Sequence, residues 1–134
     1  MKFSDIPAHT QVKERLRAMV DNDRIPHALL LEGPAGIGKF ALARAMAQYI
    51  HCTNRTPDGD SCGKCAACRQ HEAMNHIDTI QVFPVVKTEK FRNLPPTSDD
   101  FMTQWREYLT GRIFMDYDLW ADSFGKKNAK PANY

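Results

Sequence analysis

Two clusters of residues in this 134-residue chain have types and spacing that suit chemistry. The first is Gly33, Pro34, Ala35, Gly36, Ile37, Gly38 and Lys39, a Gly-x4-Gly-Lys run followed by Phe40. Glycines so spaced let successive backbone amides turn into one concavity for phosphate oxygens. A following helix adds the positive end of its dipole, and a lysine reaches the outer phosphates. The full pattern ends in Ser or Thr, whose hydroxyl holds Mg²⁺, and phenylalanine has no oxygen to offer. Phosphoryl transfer depends on the metal to neutralise growing charge, so losing its protein ligand weakens turnover more than it weakens backbone contacts to phosphate. Residues 33–40 are therefore the candidate cofactor-binding set. No catalytic residue is assigned, Mg²⁺ is not expected, and the residues leave open whether ATP or ADP is held. The plain alternative is a glycine-rich turn with no ligand.

The second cluster is Cys62-x2-Cys65-x2-Cys68 with Cys52 upstream, which uses all four cysteines of the chain. Four thiolates at short range suit tetrahedral Zn²⁺, and a site closed by four thiolates keeps no position open for water, so the expected role is structural. Iron–sulfur ligation also uses Cys-x2-Cys-x2-Cys, but usually with a fourth cysteine soon after, whereas Arg69 and Gln70 follow Cys68. His51, His71 and His76 lie nearby in sequence. A neighbouring histidine is more often a surface residue than a further ligand, and they are left outside the site.

The elements that must position these groups are readable from periodicity. Val12, Leu16, Met19 and Val20 form one stripe of a helix that Thr10 is placed to cap. Residues 27–31, apolar on consecutive positions, suit a strand buried on both faces. After the glycine loop, Leu42, Met46, Tyr49 and Ile50 mark a second helix that ends beside Cys52. A short helix is expected over 66–74 and a second buried strand over 79–86, interrupted by Pro84. Residues 87–96 read as a loop. Thr97 or Ser98 can cap a helix carrying Phe101, Trp105 and Leu109, and residues 116–124 form another, closed by Gly125. The fold class expected is α/β, a P-loop parallel sheet flanked by helices with a zinc-binding insertion. Its domains are residues 1–51, the insertion 52–76, a continuation over 77–125, and an exposed tail, 126–134. Two strands leave a sheet with open edges, so it is expected to be incomplete.

Composition bounds the rest. With 43% hydrophobic and 25% charged residues, the chain is that of a globular domain, not a disordered or collagen-like one. Eighteen Lys plus Arg against sixteen Asp plus Glu leave +2, too balanced to supply a nucleic-acid surface on average. No apolar run approaches the roughly 18–20 residues that cross a bilayer. The start, Met1-Lys2-Phe3-Ser4-Asp5, has no signal-peptide pattern, and a cytoplasmic location is the default.

A phosphate loop whose helix runs directly into such a cysteine cluster resembles the AAA+ clamp-loader subunits of bacterial DNA polymerase III. The resemblance covers the approach Arg24-Ile25-Pro26-His27-Ala28-Leu29-Leu30, the loop, the run Ser61-Cys62-Gly63-Lys64-Cys65-Ala66-Ala67-Cys68, and His76-Ile77-Asp78, where the family often shows His-Pro-Asp. Active gamma/tau motor subunits look like Gly-Lys-Thr or Gly-Lys-Ser at the loop, so Phe40 points to the delta-prime type. The resemblance implies a non-hydrolysing subunit of the clamp loader within the DNA-directed DNA polymerase holoenzyme. Its implied partners are gamma/tau and delta and, indirectly, the sliding clamp and primed DNA, with no membrane. It also implies an amino-terminal fragment that stops before the acidic Walker B strand. Two departures stand out: Phe40, and Ile6-Pro7-Ala8-His9 where the family often has a Gly-Gln turn beside the adenine pocket. The alternatives are a gamma/tau-type ATP-binding subunit, a small zinc-containing P-loop NTPase, and a zinc-stabilised interaction module.

Overall fold

The computed structural model describes residues 1–86 and 95–124. The chain divides into two compact units, Met1–Thr79 and Ile80–Tyr134.

In the first unit a 3-10 turn, Phe3–Asp5, precedes α1 (Thr10–Asp21), α2 (Lys39–His51) and α3 (Ala66–Glu72). The expected stripe on α1 is real at Leu16 and Val20, which are buried, but not at Val12, which is exposed. Thr10 lies inside the helix instead of capping it, because the chain enters through a left-handed His9 at φ 60°. Helix α2 is the spine of the unit and packs against α1, α3 and the first turn. Ala41 and Ala45 let neighbours approach closely, while Leu42, Met46 and Tyr49 fill the space between. Phe3 meets the Tyr49 ring edge-on at 5.7 Å. Each such fully buried side chain contributes about 1.5–3 kcal/mol, so Leu42→Ala alone would cost ~2–5 kcal/mol.

In the second unit, α4 (Met102–Leu109) follows a 3-10 turn, Ser98–Phe101, and α5 (Tyr117–Asp122) follows a loop. Thr97 caps the 3-10 turn, and Asp116 caps α5 by accepting the N–H groups of Asp118 and Leu119 at 2.9 and 3.2 Å. The core is aromatic. Phe83 stacks on Trp105 at 4.2 Å, and Trp120 stands edge-on to both rings. Both indole N–H groups find acceptors: Trp105 donates to Gln81 Oε1 at 2.7 Å and Trp120 to the Pro84 carbonyl at 2.6 Å.

The expected parallel sheet is not there. Among the described residues the structure is helical, with no β-strand and only a single bridge residue at Val85. Residues 27–31 run without regular structure, and Leu30 is 84% exposed. A consecutive apolar run suits a strand only where neighbouring strands take up its backbone groups, and among the described residues none does so. Over 79–86 the apolar residues divide: Ile80 and Val82 are exposed, whereas Phe83, Val85 and Val86 are buried. Ser98 replaces the ladder partner of Phe83, its hydroxyl accepting the Phe83 N–H at 3.0 Å and donating to the Phe83 carbonyl at 2.9 Å. The loop expected over 87–96 lies mostly outside the described residues, as do Gly125 and the tail 126–134.

Candidate metal centre and glycine loop

The four cysteines come together from three pieces of the first unit. Cys52 caps α2 just beyond its last residue, Cys62 sits in the loop beyond the excursion over 53–61, and Cys65 and Cys68 open α3. Their Sγ atoms all lie within 4.8 Å of one another, and no disulfide joins them. Zn–S bonds of ~2.3 Å place tetrahedral S···S edges at ~3.8 Å. The Cys62 and Cys68 sulfurs are 3.9 Å apart.

The backbone is arranged for thiolates. Lys64 and Cys65 turn their N–H groups to Cys62 Sγ at 3.4 and 3.3 Å, the Cys62 N–H faces Cys52 Sγ at 3.3 Å, and the Cys68 N–H faces Cys65 Sγ at 3.5 Å. Gly63 makes the first pair possible: its φ of +72° is a left-handed conformation that side chains rarely adopt. The N–H groups of Cys68 and Thr53 pull the Cys65 thiol down to about 6, and those of Lys64 and Cys65 lower Cys62. Burial and sharing of a proton with Cys65 push Cys68 up to about 12. Such a cluster must share protons among its sulfurs, and a bound divalent cation takes their place by stabilising the thiolates together. The donor set, its spacing and its N–H···S contacts fit zinc.

Two residues that motif reading passed over hold this module to the helices. Asp60 is buried and accepts the N–H groups of Phe3, Ser4 and Ser61 at 3.0, 2.8 and 2.8 Å. Arg55 caps the end of α2, donating to the carbonyls of Tyr49 and Ile50 at 3.0 and 3.2 Å, and lies 4.6 Å over the Tyr49 ring. Asp and Arg in a polar stretch look like solvated loop residues, so only the folded backbone reveals their roles.

The histidines passed over beside the cysteines also converge. His51, His71 and His76 stack with centroids 4.2–5.0 Å apart, and His51 Nδ1 lies 2.8 Å from His71 Nε2. Burial first, then the unfavourable interaction of a second cation with the His76 and His51 rings, holds His71 down at about 4, so it is neutral at physiological pH.

The glycine loop is exposed apart from Gly38, and it leads into α2. Gly36 and Gly38 take φ of +74° and +99°, so this turn requires glycine at both positions. Lys39 folds back, its ammonium donating to the carbonyls of Gly33 at 2.7 Å and Pro34 at 2.6 Å. A ring nitrogen of His9 lies 2.7 Å from the Ile37 carbonyl. Arg44, its pKa lowered by burial, sits 5.9 Å over the Phe40 ring, so an aromatic–guanidinium contact stands where a hydroxyl would serve a metal. Among the described residues, no helix is long and apolar enough to cross a membrane.

A helical unit in which one helix joins a glycine loop to a four-cysteine cluster is the class that fold and site define. The chain belongs to the DNA polymerase III delta subunit family, whose model matches residues 8–103 and so includes both features. It is 33% identical over 89 residues to the DNA polymerase III subunit gamma/tau of Mycoplasma pneumoniae, covering 66% of this chain and 12% of that protein. It is 35% identical over 82 residues to the gamma/tau subunit of Mycobacterium tuberculosis, covering 60% and 14%. It is 31% identical over 90 residues to the tau subunit of Escherichia coli, covering 65% and 13%. The chain thus spans 12–14% of the length of these relatives. No solved structure matches it.

Proposed function

We propose that this chain serves in the DNA polymerase III clamp loader as a delta-prime-type subunit that does not hydrolyse ATP and carries a structural zinc module. Family membership supports the assignment to the replication machinery. The observation that carries the finer reading is Phe40, packed against Arg44 at the position where an ATPase needs a metal-holding hydroxyl. In this reading residues 33–40 are a retained anion cradle, Cys52, Cys62, Cys65 and Cys68 bind Zn²⁺, and the partners are the gamma/tau and delta subunits.

A second reading, a gamma/tau-type ATP-binding subunit, is favoured by the names of the similar proteins. Phosphate release separates the two. The delta-prime reading expects background turnover from the chain in the presence of Mg²⁺ and ATP, unchanged in Lys39→Ala. Turnover that disappears with Lys39→Ala overturns it in favour of the gamma/tau type. A complementary assay mixes the chain with separately produced gamma/tau and delta subunits and measures complex mass. Co-migration is expected, and its absence contradicts the subunit assignment.

A further inference from the structure

Beside the four cysteines stands a second group of metal-binding side chains with different chemistry. His51 is the last residue of α2, His71 lies on α3, and His76 belongs to the turn that follows α3. These three pieces of backbone deliver three imidazoles to one spot, where their ligand nitrogens all lie within 4.8 Å of one another. We propose that His51, His71 and His76 form a second metal site, separate from the tetrathiolate, for a borderline divalent transition ion such as Zn²⁺ or Co²⁺.

The donor chemistry sets the class of ion. Imidazole nitrogen suits zinc, cobalt, nickel and copper, whereas calcium and magnesium take oxygen. Zn–N bonds of ~2.0–2.1 Å put tetrahedral N···N edges at ~3.3–3.4 Å. The hydrogen-bonded pair, His51 Nδ1 and His71 Nε2, is 2.8 Å apart, and the rings lie within 23° of parallel. Ring lone pairs lie in the ring planes, so capture of an ion requires the imidazoles to turn out of the stack about χ1 and χ2 and replaces the His51–His71 hydrogen bond. Each imidazole binds the ion through one ring nitrogen and carries its N–H on the other, which faces away from the ion.

The surrounding charge is net positive, so coordination by imidazole and not local charge must hold the ion. The amino terminus and Arg44 both bear on His71, and Glu72, the next residue on α3, pairs with the amino terminus and is felt by Arg44. Three protein ligands differ from the closed four-thiolate set in leaving a coordination position for water or for a donor brought by another molecule. The two sites are thus expected to differ in lability. The cysteine site keeps its ion, and the histidine site exchanges.

The test uses protein whose cysteine site is already filled with one equivalent of Zn²⁺, titrated with Co²⁺ and followed by visible absorption. The proposal expects saturable uptake of one further equivalent, with ligand-field bands but no thiolate-to-cobalt charge transfer. His76→Gln and His71→Gln weaken that uptake at least ~10-fold while the zinc content stays at one per chain, and His27→Gln leaves it unchanged. In the unmodified chain, bound Co²⁺ is expected to shift the ring C–H resonances of His51, His71 and His76 and to leave those of His9 and His27 in place. Absence of saturable uptake overturns the proposal, as do thiolate charge-transfer bands, full retention of uptake in His76→Gln, and paramagnetic shifts that bypass the three histidines. None of these readouts depends on a clamp-loader role.

Discussion

The cysteine module and the glycine loop lie at opposite ends of one helix and are built in opposite ways. At the carboxyl end of α2, four sulfurs are gathered by backbone N–H groups, and the intervening excursion is tied down through Asp60 and Arg55. At the amino end, the loop is exposed and holds its own lysine on its own carbonyls. The difference teaches where a site's geometry comes from. A metal cluster supplies its own organising energy and needs only short-range chain around it, so it can be specified within a small helical unit. A phosphate cradle depends on flanking strands for position, and the described residues supply none.

Breaking the cysteine end should therefore cost most. Cys68→Ser, or removal of zinc by a chelator, is expected to destabilise the first unit by about 3 kcal/mol or more and to lower its helical circular dichroism, because α3 and the residues 53–61 lose their anchor. An unchanged melting curve after chelation would mean that the module stands without metal.

Loss of Asp60 comes next. Asp60→Ala leaves the N–H groups of Phe3, Ser4 and Ser61 without their acceptor, at an expected cost of ~2–3 kcal/mol in denaturant unfolding. Burial alone would raise the pKa of this carboxyl, but the donors from Ser4, Ser61 and Phe3 outweigh it and hold the value below the ordinary one. The native value is the lower one, so its stabilisation is fully present above the unfolded carboxyl pKa and is lost as pH falls through the native pKa. Asp60→Asn should flatten that acid limb of the stability profile. An identical acid limb in the variant would remove Asp60 from the account.

The loop end should respond least. Gly36→Ala, at φ +74° with open space around the added methyl, is expected to cost ~1 kcal/mol through backbone strain alone. Lys39 is half-buried, but its ammonium bonds only carbonyls of the exposed loop, so Lys39→Ala should change stability by less than ~1 kcal/mol. A large loss from Lys39→Ala would show that the loop is part of the unit's framework and would erase the contrast between the two ends.

Legibility in the sequence follows the same division. The helices were readable because 3.6-residue periodicity reports a buried face directly: Leu16 with Val20, Leu42 with Met46 and Tyr49, and Trp105 with Leu109 all lie inside. The gathering of Cys52, Cys62, Cys65 and Cys68 was readable because thiolate spacing is a local constraint. The sheet was not, because a run such as residues 27–31 says that a strand is affordable without saying that a partner exists, and Leu29 and Leu30 lie exposed. Ser98 on Phe83 and Asp60 on the first turn were illegible for another reason. A single hydroxyl or carboxylate that binds backbone fifteen or fifty-seven residues away leaves no periodic trace. The histidines 51, 71 and 76 carry no motif spacing, and only the packing of α3 against α2 brings the first two together.

The central claim is that four sulfurs of one chain enclose a single metal ion. X-ray absorption at the zinc edge, on protein carrying one equivalent of Zn²⁺, tests it most directly. The account predicts a shell of four sulfurs at ~2.3 Å and no nitrogen or oxygen in that shell. A shell with fewer sulfurs, completed by nitrogen or oxygen, or a chain that retains no zinc after gel filtration, would contradict it.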